Sequence, residues 1–176
     1  MLRARLLRAM EREPMNWLNR AIVAGAFVAL AAVSAPHAFA DELRLEIPTI
    51  GVSAAVESIG LVNGNLDVPS LPDDVGSYQI RGNLLVVGHR DWDHRLRGFA
   101  RLDQLQVGDL VELTDGRTYS VVASSRWYID DEPGVWRDAV RPGDGDAVTL
   151  ISCIGEFSVS RQQYLQRIMV RAERIE

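Results

Sequence analysis

The sequence contains no lysine, a single cysteine and three histidines among its 176 residues, and only 7% of it is aromatic. Without lysine, Schiff-base chemistry on an ε-amine is excluded, and every basic side chain is an arginine. One cysteine rules out an internal disulfide framework. Positive charge is scarce where it would matter for binding polyanions. Residues 1–40 carry five arginines and two glutamates, whereas residues 41–176 carry 14 arginines against 22 acids, a net of −8. An acidic domain with no basic stripe interleaved with aromatics has no general attraction for phosphate backbones, so nucleic acid is not an expected partner. Internal repeats and low-complexity stretches are also missing, and the length with 47% apolar residues suits one domain with a core of its own.

Long apolar runs are missing too, with one exception near the start. "AIVAGAFVALAAVSA" (Ala21–Ala35) follows Arg3, Arg5, Arg8, Arg12 and Arg20, and is followed by "PHAFA" before Asp41. The run is shorter than the roughly 20 residues that span a bilayer, and Ala38 and Ala40 have the small-x-small spacing of a signal-peptidase site. Residues 1–40 are therefore expected to be a signal peptide cleaved after Ala40 or, if retained, an N-terminal membrane anchor through residues 21–40. A buried core helix is the remaining reading. Positive charge ahead of the apolar run puts residues 41–176 outside the cytoplasm in both of the first two cases.

That location gives the lone Cys153 its interest. Outside the cytoplasm thiols tend to pair, so an unpaired cysteine is buried and inert, intermolecular, or a reactive thiol. It ends the apolar run "AVTLISC" (147–153), one of several short β-type runs after residue 40. "LRLEI" (43–47) alternates, and "GVSAAVESIGLV" (51–62) is a second half-buried run, closed by the turn signal "NGN" (63–65). "VPSLPDDVGSY" (68–78), with two prolines and paired aspartates, predicts a loop or short helix. "NLLVVG" (83–88) predicts a buried strand that delivers His89, and Phe99, Leu102 and Leu105 share one helical face. "LVEL" and "RTYSVVASSRWYI", split by "TDGR" (114–117), predict a β-hairpin. "DDEPGVWRDAVRPGDGD" (130–146) reads as a long functional loop with a short helix near Val135–Val140, and "QRIMVRAERI" (166–175) as the last strand. Seven or eight short strands with few helices predict an all-β barrel or sandwich.

A working thiol needs a base or cation beside it. His37 lies in the targeting segment, leaving His89, fixed by a buried strand, and His94 in the charged loop "RDWDHR". An imidazolium beside a thiolate can give its proton to a leaving amine. Developing negative charge on a carbonyl then needs a donor, and Arg167 is offered in the last strand, on one face with Met169 and Arg171. It shares a sheet face with Cys153 if the register permits. Arg161 is a competing donor. Taken one by one, these residues read equally as a core cysteine, a strand-end histidine and a solvated arginine.

"VVGHRD" (86–91), "VTLISC" (148–153) and "RIMVRAERI" (167–175) resemble the His, Thr-Leu-x-Thr-Cys and Arg motifs of bacterial sortases, cysteine transpeptidases that anchor proteins to cell surfaces. "LRLEIPTIGVSAAV" is similar to the family's opening Ile-Pro-x-Ile-x-Val pattern, and "LDQLQVGDLVEL" to the helix, turn and strand after its histidine. The resemblance spans about residues 43–175. It implies a closed eight-stranded β-barrel with one or two short helices over residues 41–176. It implies Cys153 as nucleophile, His89 as general acid and Arg167 as oxyanion donor, with no cofactor and no metal. The implied partners are secreted proteins with a C-terminal Leu-Pro-x-Thr-Gly-like sorting signal, cleaved between Thr and Gly, and an amine acceptor on the cell wall or a pilin subunit. Ser152 stands where threonine is usual, and "CIGEFSVSRQQYLQR" reads as a loop of the kind that differs between sortase classes. Three other readings compete with this one. A thiol peptidase would resolve the acyl-enzyme with water. An L,D-transpeptidase would want histidine next to the cysteine, and here the nearest precedes Cys153 by 59 residues. A non-enzymatic β-domain would hold a metal on His89, Asp91, Asp93 and His94.

Overall fold

A computed structural model describes residues 42–63, 65–131 and 146–175. The segment 1–40 and the helix expected near Val135–Val140 lie outside the described residues. Among the described residues twelve strands form in chain order: β1 (Arg44–Ile47), β2 (Val52–Ser58), β3 (Leu61–Val62), β4 (Asn65–Leu66), β5 (Val75–Ile80), β6 (Asn83–Gly88), β7 (Asp91–Trp92), β8 (Arg95–Leu96), β9 (Leu110–Leu113), β10 (Thr118–Tyr128), β11 (Ala147–Ser158) and β12 (Gln163–Arg174). Eight of them close into a barrel in the order β1-β2-β5-β6-β11-β12-β10-β9, while β3–β4 and β7–β8 are two-stranded ribbons beside it. The pairs β2–β5 and β6–β11 are parallel and the others antiparallel. Among the described residues no helix is long and apolar enough to cross a membrane.

Period-two alternation builds the core. Leu45 and Ile47 of β1, Leu84 and Val86 of β6, and Val148 and Leu150 of β11 all point into one apolar cluster, because successive strand side chains face opposite sides of a sheet. The segment Gly98–Gln104 forms a 3-10 helix that contributes Phe99 and Leu102 to the same cluster, joined by Leu105 just after it. Residues three apart eclipse in such a helix, which is why the apolar spacing there is a strict three.

Two stretches differ from their sequence readings. Part of the segment 68–78, read as loop or short helix, belongs to barrel strand β5. Its polar "VGSYQI" looks unlike a strand, but β5 is paired on both sides, to β2 and to β6, and backbone pairing overrides weak side-chain propensity. Gly76 is part of the reason, since a Cβ there would lie 2.6 Å from Ile59 Cγ2. The second correction concerns residues 153–167. This is mostly hairpin rather than loop: β11 continues to Ser158 and β12 starts at Gln163, with a pairing irregularity between Ile154 and Phe157. Gly155 sits there at φ +82, and Phe157 packs edge-on against Tyr164 at 5.3 Å between ring centres.

Gly88 has the tightest requirement. A Cβ at this position would lie 2.5 Å from Phe99 Cδ2, inside the buried ring of the 3-10 helix. Gly88→Ala is expected to push Phe99 off its seat at a cost of about 1–3 kcal/mol, read as a fall of several degrees in the Tm of thermal unfolding. An unchanged Tm would mean that Phe99 moves freely.

Candidate active site

The site grows out of strand register. β6 and β11 pair in parallel with a constant offset, ending at Ile151↔Val87. One residue further, Ser152 Oγ donates to the Gly88 carbonyl at 2.9 Å, so the strands stay together to the point where His89 and Cys153 follow. On the other side of β11, Cys153 pairs directly with Arg167 of β12, and Arg167 pairs with Trp127 of β10. Cys153, Arg167 and Trp127 thus form one row across three adjacent strands, with His89 just past the end of β6. All four line a single cavity of about 630 Å³, together with residues that include Leu66, Val68, Ile129 and Ile151.

Alternation sets the faces within that row. Ile168, Val170 and Ala172 are buried in the barrel, so Arg167 and Met169 face outward with Cys153. Trp127 reaches the same face through a register shift between Val121 and Ala123. Tyr119 and Val121 face the core, and without the extra residue Trp127 would follow them inward.

His89 is held from two directions. Its Nε2 lies 3.1 Å from the Pro69 carbonyl oxygen, and its ring meets Trp92 at 5.0 Å with the planes 70° apart. It also borders a smaller cavity of about 240 Å³ whose lining includes Asp73, Asp74 and Phe99. His94, by contrast, is exposed at the tip of the β7–β8 ribbon. Asp93 and His94 there have φ of +50 and +60, the conformation of a type I′ turn. Among the described residues no three His, Cys, Asp or Glu side chains converge on a metal position, so the geometry gives the metal-loop reading of residues 89–94 no support.

Arg167 Nη1 donates to the carbonyls of Tyr164 at 2.9 Å and Gln166 at 3.0 Å, which curls the guanidinium over the start of its own strand. Arg161 lies elsewhere, in a two-pronged ion pair with Asp130 at 2.8 Å to each oxygen. The structure therefore brings His89, Cys153 and Arg167 together and leaves His94 and Arg161 outside.

The cysteine is unpaired and partly buried. Burial pushes the Cys153 thiol above the ordinary cysteine value; Arg167 pulls against this, Asp91 adds to it, and Arg90 opposes it weakly. Arg90 also sits 5.5 Å from the centre of the Tyr164 ring. Trp127 is a pocket residue that the motifs left unassigned, and Asp91 is an electrostatic neighbour of Cys153 that they did not name. Strand alternation alone carries no signal for Trp127, because the bulge reverses its face.

Comparison with known proteins agrees with this architecture. The sortase domain family model matches residues 45–175. Among solved structures the chain is similar to sortase A of Listeria monocytogenes, at 17% identity and a TM-score of 0.57 over 77% of this chain and 87% of that one. It is also similar to a lid mutant of sortase A from Corynebacterium diphtheriae, at 21% identity and a TM-score of 0.58 over 77% and 70%. Sortase C-1 of Actinomyces oris gives 21% and 0.56 over 76% and 73%. Comparison with curated protein sequences returns no match. The structural likenesses establish the barrel, the family match covers most of the chain, and together they make this protein a member of the sortase family of cysteine transpeptidases.

Proposed function

We propose that Cys153, His89 and Arg167 are the catalytic residues of this sortase. They cleave a C-terminal Leu-Pro-x-Thr-Gly-like sorting signal between Thr and Gly and pass the acyl group to an amine at the cell surface. The observation that carries this reading is that Cys153 and Arg167, paired across β11 and β12, line one cavity with His89.

The Cys153 sulfur attacks the threonine carbonyl carbon while His89 takes the thiol proton. Arg167 donates to the oxyanion that develops. As the C–N bond breaks, His89 returns the proton to the leaving glycine amine, leaving a thioester. An acceptor amine then attacks the same carbon; its surplus proton passes to His89 and on to the departing thiolate, and the free enzyme is restored. The apolar wall of Leu66, Val68, Ile129 and Ile151 suits the leucine and proline of the signal. Residues 1–40 deliver or anchor the domain outside the cytoplasm. Its partners there are secreted proteins that carry the signal, and the acceptor is an amine of the cell wall or of a pilin subunit.

Incubation with such a peptide is expected to add the mass of the acyl fragment to Cys153, and to release a hydroxamate when hydroxylamine is supplied as acceptor. A peptide left whole would sink the reading, and a product formed only with water would make the protein a peptidase.

Arg167 is a test of geometry against charge. Lysine keeps the cation but loses the planar fork of donors. Arg167→Lys is expected to lower kcat/KM about 100-fold, in line with about 3 kcal/mol for a lost oxyanion donor, while Arg161→Lys stays close to wild type. The reverse order would move the donor to the β11–β12 loop.

Burial also holds the Cys153 thiol above the ordinary cysteine value and so favours its neutral form. Iodoacetamide reacts with thiolate, so its rate with Cys153 is expected to rise through a midpoint above that of a free cysteine. Asp91→Asn removes a negative neighbour and lowers the midpoint; Arg167→Gln removes the cation and raises it. A wild-type midpoint below that of a free cysteine would contradict this picture.

A further inference from the structure

His89 Nε2 and the Pro69 carbonyl oxygen lie 3.1 Å apart, and a carbonyl has no proton to give. The hydrogen of this bond therefore belongs to Nε2. With Nε2–H committed to Pro69, Nδ1 is the ring nitrogen left to gain and lose a proton.

The carbonyl itself is held in place. Pro69 is buried and lies in "VPSLP", where two prolines fix φ at positions 69 and 72 and restrain the residue ahead of each to extended backbone. The next residue, Ser70, is clamped from the barrel by Glu57 of β2. Glu57 Oε1 accepts the Ser70 backbone N–H, and Oε2 accepts the Ser70 hydroxyl at 3.0 Å. Both carboxylate oxygens are thus spent on one loop residue, next to the carbonyl that meets His89. Glu57 is in turn seated by the parallel β2–β5 pairing, opposite Gly76, and its own carbonyl accepts from Ser77 Oγ at 3.2 Å.

We propose that Glu57 is a positioning residue: through Ser70 and the Pro69 carbonyl it fixes His89 as the Nε2–H tautomer, so that Nδ1 is the atom that exchanges the proton with Cys153 and the leaving amine. The part concerning proton exchange rests on the function proposed above, whereas the tautomer does not. A carboxylate acting at this remove changes no reacting atom. It removes the alternative in which a freely turning imidazole spends part of its time with the wrong nitrogen toward the thiol.

The test begins with the unaltered full chain. Nitrogen-15 NMR of histidine-labelled protein, with the His89 signals identified by their loss in His89→Ala, is expected to show Nε2 protonated and Nδ1 bare above the titration of the ring. A bare Nε2 in the wild type overturns the proposal without any substitution at Glu57. Glu57→Ala is then expected to give a mixture of tautomers and to lower kcat about tenfold with KM little changed. Glu57→Gln keeps one acceptor for Ser70 and is expected to fall between the two. An alanine variant with the wild-type tautomer also overturns the proposal, whatever its rate. If the tautomer shifts as described but no acyl-enzyme ever forms on Cys153, the positioning of the ring stands and the assigned reaction fails.

Discussion

The parallel pairing of β6 with β11 is the constraint on which the site depends. Antiparallel neighbours meet through a turn of a few residues, but parallel neighbours need a long crossover, and here that crossover carries the β7–β8 ribbon, the 3-10 helix and the β9–β10 hairpin. Only this pairing brings the end of a strand at residue 88 beside residue 152. It is fastened by two buried side-chain hydrogen bonds, Thr149 Oγ1 to Asn83 Oδ1 and Ser152 Oγ to the Gly88 carbonyl, both at 2.9 Å. Losing either donor removes a buried hydrogen bond, at a cost of about 1 kcal/mol. Serine at position 152 thus supplies what the fold needs there, a hydroxyl aimed at β6.

The same pairing explains the character of the thiol. A sulfur at the edge of a packed sheet loses water and resists ionisation, and the guanidinium directly across the strand pair offsets only part of that. Burial thus favours the neutral form of the Cys153 thiol among its fixed partners. A neutral thiol is the better protected form, because thiolate is what oxidants and stray electrophiles attack.

Much of this was legible in the residues. Alternation in "LRLEI" and the apolar "NLLVVG" marked β1 and β6, the Asp-Gly turn marked the β9–β10 hairpin, and the motifs around His89, Cys153 and Arg167 marked three strand positions that the register then joined. What escaped was set by pairing rather than composition. β5 is a strand because neighbours bind both its edges, and "VGSYQI" has little of a strand's usual content. The turn at Asp93–His94 lacks the glycine that normally announces it. The bulge near Val122 adds one residue and reverses the faces of the later residues of β10, so the place of Trp127 is invisible to a count of alternating positions. The Pro69 carbonyl belongs to the backbone, and no motif of side chains names it.

Chain distance within the row has a consequence for how the site comes into being. Cys153 and Arg167 face each other across a hairpin whose ends are close in sequence, and local pairs of this kind close early with little loss of loop entropy. His89 joins from far upstream, and only when the barrel's parallel seam zips shut. On the roles proposed above, a chain that closes this hairpin first sets Arg167 beside Cys153 before His89 joins them. On that reading, completion of the barrel is what brings the three side chains onto one cavity.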